Sequence, residues 1–326
     1  MNLRDRWPAG VPRPRDYLET SDGLFFAVVS SSVDDGHALT SLRYVRREQV
    51  LAKLSTQEAN AFLRLHRPAY LVHSSLIDAM IHRLPLADVV QVHRPDARLA
   101  TLRANGARDA IEEKALRAVD ALAVGGADRD RIGLGGSLLL GAQHPDSDID
   151  LVLYGRDAFE DGRVALGAAI DGGRLGALNR NQWKSAWSRR GSDLTLDEYV
   201  RAEARKRTKA VIEGTRVDLT LVVDHDEEIP ERGPFRKLGR MVLEAEVTDA
   251  AAAFDHPARY RVRHGDVSEV VSFTPTYAGQ AASGETIEAA GWLEQDADGA
   301  RRLVVGTSRE AEGEWIRLVP PHSSRC

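Results

Sequence analysis

The sequence predicts an α/β (α+β) core with a mixed sheet, preceded by a small α+β region and followed by an all-β, barrel-like module. Strand and helix signals alternate between residues 124 and 233, as a layered core requires. Six short strand-like runs with Gly and Asp between them fill residues 234–319, the pattern of a barrel or sandwich. A strand pair followed by helices occupies the first 123 residues. The expected division is therefore 1–123, 124–233 and 234–319, with 320–326 as a loose tail.

Composition narrows the functional classes. The chain has 326 residues, 29% charged and 43% hydrophobic, as in globular proteins. No run of about 18 apolar residues is present, so no membrane helix is expected. The start, MNLRDRWPAGVPRPR, lacks the apolar stretch of a signal peptide. The single cysteine, Cys326, excludes an intramolecular disulfide and a Cys-rich zinc site. A cytoplasmic location is the expectation. The net charge of -5 argues against bulk electrostatic binding to nucleic acid, while leaving room for a local basic groove.

Element by element, residues 1–22 form a Pro- and Arg-rich lead. Gly23–Val29 reads as a buried strand and Leu39–Val45 as its partner. Ser55-x-x-Glu58 is a capping box that opens an amphipathic helix. Residues 69–93 are mixed in character. Helices are expected over 97–104 and 108–123, with Gly106 between them and Gly125-Gly126 ending the second. In the central segment, 131–135 and 149–154 read as strands, and a helix runs from about Asp157 to before Gly172. Thr195-x-x-Glu198 opens a helix expected to continue to Glu213, before a strand over 217–223. The C-terminal strands are expected near 241–248, 259–263, 268–273, 286–293, 301–306 and 314–319, and a five-stranded oligonucleotide-binding-type barrel is one arrangement for them.

The chemistry concentrates in Gly135-Gly136-Ser137 and Asp148-Ile149-Asp150. Side chains alternate along a strand, so Asp148 and Asp150 share a face while Ile149 enters the core. Neighbouring carboxylates repel and are costly to hold without a cation, and paired hard oxygen ligands suit Mg²⁺ or Mn²⁺ shared with phosphates. Glycine lets backbone approach a ligand, and free N–H groups after it suit phosphate. Asp218, flanked by Val217 and Leu219, is a third strand carboxylate in need of a partner, either a shared metal or a nearby Arg.

This pattern of Gly-Ser, Asp-x-Asp and a distant apolar-Asp-apolar strand resembles the DNA polymerase beta-like nucleotidyltransferase superfamily over residues 131–224. The flanking segments look similar to uncharacterised prokaryotic members. The resemblance implies that Asp148 and Asp150 bind two divalent ions and that Asp218 binds one of them and helps deprotonate the attacking hydroxyl. Gly136 and Ser137 would hold the β- and γ-phosphates of a ribo- or deoxyribonucleoside triphosphate. The hydroxyl would attack the α-phosphorus in line, releasing pyrophosphate. The acceptor expected first is a nucleic-acid 3′-hydroxyl. The alternatives are nucleotidylation of a protein or small molecule, and a non-catalytic binding module.

A basic stripe supplements the motif. On one helix over 196–213, Arg201, Arg205 and Lys209 would recur at i, i+4 and i+8, an uncompensated row suited to triphosphate or a nucleic-acid backbone, or else a solvated face. Arg205 and Lys209 are thus further nucleotide-binding candidates. Trp183 and Trp187, at i and i+4, read as a packing face rather than a base-stacking surface. Asp146 reads as a turn residue and His144 as a loop residue.

Overall fold

The computed structural model describes residues 11–74, 79–190, 192–230, 233–306 and 311–320. The start of the Pro- and Arg-rich lead and the expected loose tail after Pro320, with Cys326, lie outside the described residues. The chain forms two compact units. One contains residues 11–74, 79–176 and 210–227. The other contains 177–209 and the described residues from 228 onward.

The first unit opens with a seven-stranded sheet. Its strands are β1 (Tyr17–Thr20), β2 (Leu24–Asp34), β3 (His37–Arg47), β4 (Val50–Lys53), β5 (Leu71–Ser74), β6 (Ala79–Pro85) and β7 (Val89–His93). They lie in the order β5-β6-β3-β2-β1-β7, with β4 also on β3. Helix α1 (Thr56–His66) follows β4, and both halves of its Ser55–Glu58 capping box form. One face of the sheet buries Leu18, Phe26, Val28, Leu42 and Leu84 with Leu63 of α1. The opposite face carries Tyr17, Phe25 and Tyr44.

Helices α2 (Pro95–Asn105) and α3 (Ala110–Val124) lead into β8 (Ile132–Leu134), the one-turn helix α4 (Gly136–Leu140), β9 (Ile149–Tyr154) and α5 (Arg156–Asp171). Two helices of the second unit come next, α6 (Arg180–Ser188) and α7 (Leu196–Lys206). Strands β10 (Lys209–Ile212) and β11 (Thr215–Val222) then complete a central sheet of order β10-β11-β9-β8. It is mixed, as expected: β9 and β11 run parallel, while β8 and β9 run antiparallel.

The helix expected over 196–213 is a correction. It ends at Lys206, where Arg207 caps it with a left-handed backbone, φ 51°. The next residues alternate half-buried and buried as β10 and turn back through Glu213 (φ 45°) and Gly214 (φ 79°), a two-residue hairpin loop with both φ values positive. Alternation of the apolar residues Ala210 and Ile212, and pairing with β11, outweigh the helical charge pattern.

Tyr17, Phe25 and Tyr44 of the N-terminal sheet pack on Leu139 and Leu140 of α4. A polar network holds that helix from the other end. Glu112 of α3, fully buried, accepts hydrogen bonds from the backbone and guanidinium of Arg108, and from Arg98 at 2.5 Å. Arg98 Nε in turn donates to the Leu138 carbonyl at 2.9 Å. Glu112→Ala leaves Arg98 buried without its carboxylate, and breaking such a pair costs about 3–5 kcal/mol. A urea melt of the variant reads that loss directly.

In the second unit, β12 (Arg236–Asp249), β13 (Ala258–Arg263), β14 (Glu269–Ser272), β15 (Thr286–Gln295) and β16 (Arg301–Val305) close into a ring of order β12-β13-β14-β16-β15-β12, and β17 (Trp315–Leu318) adds to β15. The β14–β16 pair is parallel and the other ring pairs are antiparallel. This is the closed five-stranded barrel that the C-terminal pattern suggested, filled by Val247, Tyr260, Val270, Ile287 and Leu303. Segment 177–209 is held to this part of the chain by Asp193, whose carboxylate accepts from Gly313 N–H at 2.7 Å and whose carbonyl accepts from Arg317 at 2.8 Å. Among the described residues no helix is long and apolar enough to cross a membrane.

Candidate active site

The central sheet builds the site through register. β9 and β11 pair parallel with Ile149 opposite Val217 and Asp150 opposite Asp218. Ile149 and Val217 are fully buried beneath the sheet. Alternation then puts Asp148, Asp150, Arg216 and Asp218 on the other face. At the end of β8, Gly135 N–H donates to the Asp150 carbonyl at 2.9 Å, which brings the α4 turn against Asp150. Gly136 there has φ +58°, and a Cβ at this position would lie 2.0 Å from Asp150 Oδ2. Only glycine fits. Ser137 lies inside α4 and Gly135 is its N-cap, so the serine hydroxyl is not used as a cap.

Electrostatics concentrate negative charge on this face. Burial and then the neighbouring Asp218 push the Asp150 carboxyl up to about 6, with Arg15 and Arg216 opposing. Arg216 bridges the other two acids, with Nε 3.0 Å from Asp218 Oδ2 and Nη2 bonded to Asp148 Oδ2. Asp218 Oδ1 is buried with no hydrogen-bond partner. Three carboxylates, one of them with an orphaned oxygen, fit a hard divalent cation. No group of three or more His, Cys, Asp or Glu side chains among the described residues is closed to metal-ligand geometry. The Arg216 guanidinium lies between Asp148 and Asp218 instead. The two partners foreseen for Asp218, an arginine and a metal, thus concern different oxygens.

Asp148, Asp150, Asp218 and Gly136 come together as the motif implied, with Ser137 on the adjoining turn. The basic stripe does not. Arg205 is on α7 and Lys209 on β10. Arg205 Nη2 contacts both Glu285 carboxylate oxygens at 2.7 Å, and Lys209 Nζ lies 2.8 Å from Glu203 Oε2. The row read as uncompensated is therefore neither one helical face nor free of acids, because its partners come from distant or buried positions. Trp183 is buried edge-on to Tyr199, and Trp187 Nε1 donates to the Leu194 carbonyl, which makes both packing residues. His144 and Asp146 form a turn closed by Ser147. Sequence reasoning missed Arg216, although its position two residues before Asp218 on a strand puts both on one face. It also missed Arg15, Tyr17 and Tyr44 of the N-terminal region, which carry no local motif: the field of Arg15 reaches Asp150, and the field of Asp150 reaches both tyrosines.

Residues 113–229 match the family model of the nucleotidyltransferase domain, and that stretch contains β8, α4, β9 and β11 with Asp148, Asp150, Arg216 and Asp218. The chain belongs to the nucleotidyltransferase family, within the polymerase beta-like superfamily, and is a transferase of nucleotidyl groups. It is 35% identical over 335 residues to "Uncharacterized protein MJ1086" of Methanocaldococcus jannaschii, an alignment that covers 94% of this chain and 98% of that protein. No solved structure matches it.

Two measurements probe the site. Gly136→Ala forces a methyl group onto Asp150 Oδ2 and should lower kcat/KM by about 100-fold or more, since a misplacement near 1 Å has that cost. Circular dichroism should show the fold retained. The second concerns pH. The folded Asp150 pKa of about 6 lies above its ordinary 3.8, so the folded chain keeps a proton that the unfolded chain releases. Its contribution to stability is present at low pH and is lost as pH rises through that window. With chelator present, the melting temperature of Asp150→Asn relative to wild type should climb between about pH 4 and 6 and then level off. A flat difference across the range would mean that Asp150 titrates normally.

Proposed function

We propose that the protein transfers a nucleoside monophosphate from a nucleoside triphosphate, such as ATP or a deoxynucleotide, to an acceptor hydroxyl and releases pyrophosphate. The observation that carries this reading is the in-register pairing that sets Asp150 beside Asp218 with Gly136 against them. Asp148, Asp150 and Asp218 would hold Mg²⁺ or Mn²⁺, two ions by analogy with the superfamily. Bound there, the ions would supply positive charge to the phosphoryl oxygens and acidify the acceptor hydroxyl. The chain's own groups have separate tasks. The backbone after Gly136 and the Ser137 hydroxyl seat the β- and γ-phosphates. Asp218, with its unpartnered Oδ1, takes up positive charge or a proton at the acceptor side. Arg216 holds Asp148 and Asp218 in place and limits their repulsion.

The acceptor we favour is a nucleic-acid 3′-hydroxyl. The strand order of the C-terminal barrel supports it, and so does Trp292, which has Arg240 at 4.5 Å and Lys237 at 5.5 Å from its ring. A second reading, nucleotidylation of a protein or a small molecule, rests on a different observation. The barrel's arginines are neutralised one by one: Arg259 by Glu269, Arg261 by Asp249, Arg263 by Glu246, Arg301 by Asp266 and Arg302 by Glu294. Charges interleaved in this way offer little to a phosphate backbone.

Incubation with α-labelled triphosphates, Mg²⁺ or Mn²⁺ and a mixed pool of RNA, DNA and protein separates these outcomes. Label on an oligonucleotide supports the first acceptor, and label on protein the second. Asp148→Asn and Asp150→Asn should each lower transfer by about 100-fold or more, the scale of losing one charge stabiliser of the transition state. Full activity in both variants would refute the site assignment.

A further inference from the structure

The N-terminal region carries two arginines near the carboxylate site, each in an irregular stretch of backbone: the field of Arg15 reaches Asp150, and Arg43 acts on Tyr17 and Tyr44, which Asp150 also reaches. Arg15 has φ +76°, a conformation that side chains other than glycine seldom adopt. It occupies the third position of the turn Arg13–Asp16, which Asp16 N–H closes on the Arg13 carbonyl at 3.1 Å. Pro14 holds the second position. That arrangement fits a type II turn, in which glycine is the favoured third residue. The Asp16 carboxylate secures the turn by accepting the Arg13 N–H at 3.0 Å. The sequence therefore keeps a long cation where the backbone favours glycine. Strain of this kind persists where surrounding structure enforces it and clusters at functional sites.

Arg43 lies at a β-bulge. Phe25 pairs with Tyr44 and Phe26 pairs with Leu42, which leaves Arg43 without a cross-strand partner on β2. Bulges re-aim side chains and recur beside active sites. The residues next to these arginines locate them. Tyr17 follows Arg15 by two positions, Tyr44 follows Arg43, and both tyrosines pack on Leu139 of α4, the helix that starts at Gly136. The field of Arg15 reaches Asp150 and Tyr17, and the field of Arg43 reaches Tyr17 and Tyr44. Among the described residues neither guanidinium has a hydrogen-bonding or ion-pairing partner, whereas Arg216, on the carboxylate face itself, is fully engaged.

We propose that Arg15 and Arg43 form an anion seat on the N-terminal wall of the active site and hold a phosphate group of a bound substrate. The inference rests on the nucleotidyl-transfer reading and extends it. The sheet supplies specificity for a phosphorylated ligand as well as packing. Cations on this wall attract the phosphate charges of a substrate and offset its repulsion by the acids. The phosphate belongs either to the triphosphate tail or to a phosphorylated acceptor.

Arg15→Gly is the informative variant because it removes the charge and relieves the backbone together. Binding of inorganic tripolyphosphate and of inorganic phosphate, with Mg²⁺ present, is measured by calorimetry on the full chain for wild type, Arg15→Gly and Arg43→Ala. Melting temperatures are recorded alongside. The expected result is affinity at least tenfold weaker in both variants, with Arg15→Gly melting at or above wild type. Loss for tripolyphosphate assigns the seat to the triphosphate tail. Loss for phosphate alone assigns it to the acceptor. Wild-type affinity for both probes in both variants overturns the proposal. So does an Arg15→Gly protein that binds more weakly and also melts lower, since the arginine would then serve the turn. These readouts need no turnover: failure of transfer with intact, arginine-dependent binding would count against the reaction and not against the seat.

Discussion

Parallel pairing of β9 with β11 is the constraint on which the rest of the site depends. It sets Asp150 directly beside Asp218 and, by alternation, turns Asp148 and Arg216 onto the same face. Strand backbone cannot move apart to relieve carboxylate repulsion without breaking the ladder. The charge problem is therefore met without moving the strands, in two visible ways. Arg216 bridges Asp148 and Asp218, and Asp150 holds its proton to about pH 6. The hydrophobic underside, Ile149, Val217, Leu151 and Leu219, keeps the register from slipping, because a one-residue shift would bury the acids and expose the core.

The turn that approaches Asp150 is held from two sides. Tyr17, Phe25 and Tyr44 pack on Leu139 and Leu140, while Glu112 and Arg98 anchor the Leu138 carbonyl. A helix of one turn has little intrinsic stability, so its position is a tertiary property. This gives the N-terminal sheet a mechanical role. Moving it would move Gly136, and Gly136 has no slack against Asp150.

What could be read from the sequence follows from how local each signal is. The capping boxes at Ser55 and Thr195 and the strand of Ile149–Tyr154 are set by neighbours within a few residues, and all are found in place; Asp218 meets Asp150 only through pairing of distant strands. The C-terminal strands were visible because Gly and Asp punctuate them. Residues 69–93 were opaque for an identifiable reason. His82 is buried in β6, where its Nδ1 accepts the Leu42 N–H at 2.8 Å, and burial pushes its pKa down to about 4. A core histidine in a strand reads as polar and erases the alternation. The stripe of Arg201, Arg205 and Lys209 failed differently. Helical spacing was real on paper, but the acids that neutralise it, Glu285 on the barrel side of the chain and the buried Glu203, are invisible to spacing. Arg15, whose field reaches Asp150, comes from a turn, which no periodicity announces.

Charge accounting ties these pieces together. Asp148, Asp150 and Asp218 would carry three negative charges when ionised, and Arg216 returns one. Bonded to two of the three acids, Arg216 is a fixed and partial counter-ion. The remainder of two is what a divalent cation neutralises. Until such an ion is bound, retention of the Asp150 proton lowers the deficit; burial, and then the neighbouring Asp218, displace this enclosed acid upward. A substrate that brings several phosphate charges reverses the sign of the problem, since its anions must then be balanced near the same acids. Fixed cations on the carboxylate face would compete with metal for the aspartates. Cations mounted on the N-terminal sheet, one turn and one bulge away, do not. On the proposed reading the two sheets of the first unit would divide the labour: one would gather negative charge for metal, and the other would hold positive charge for the ligand.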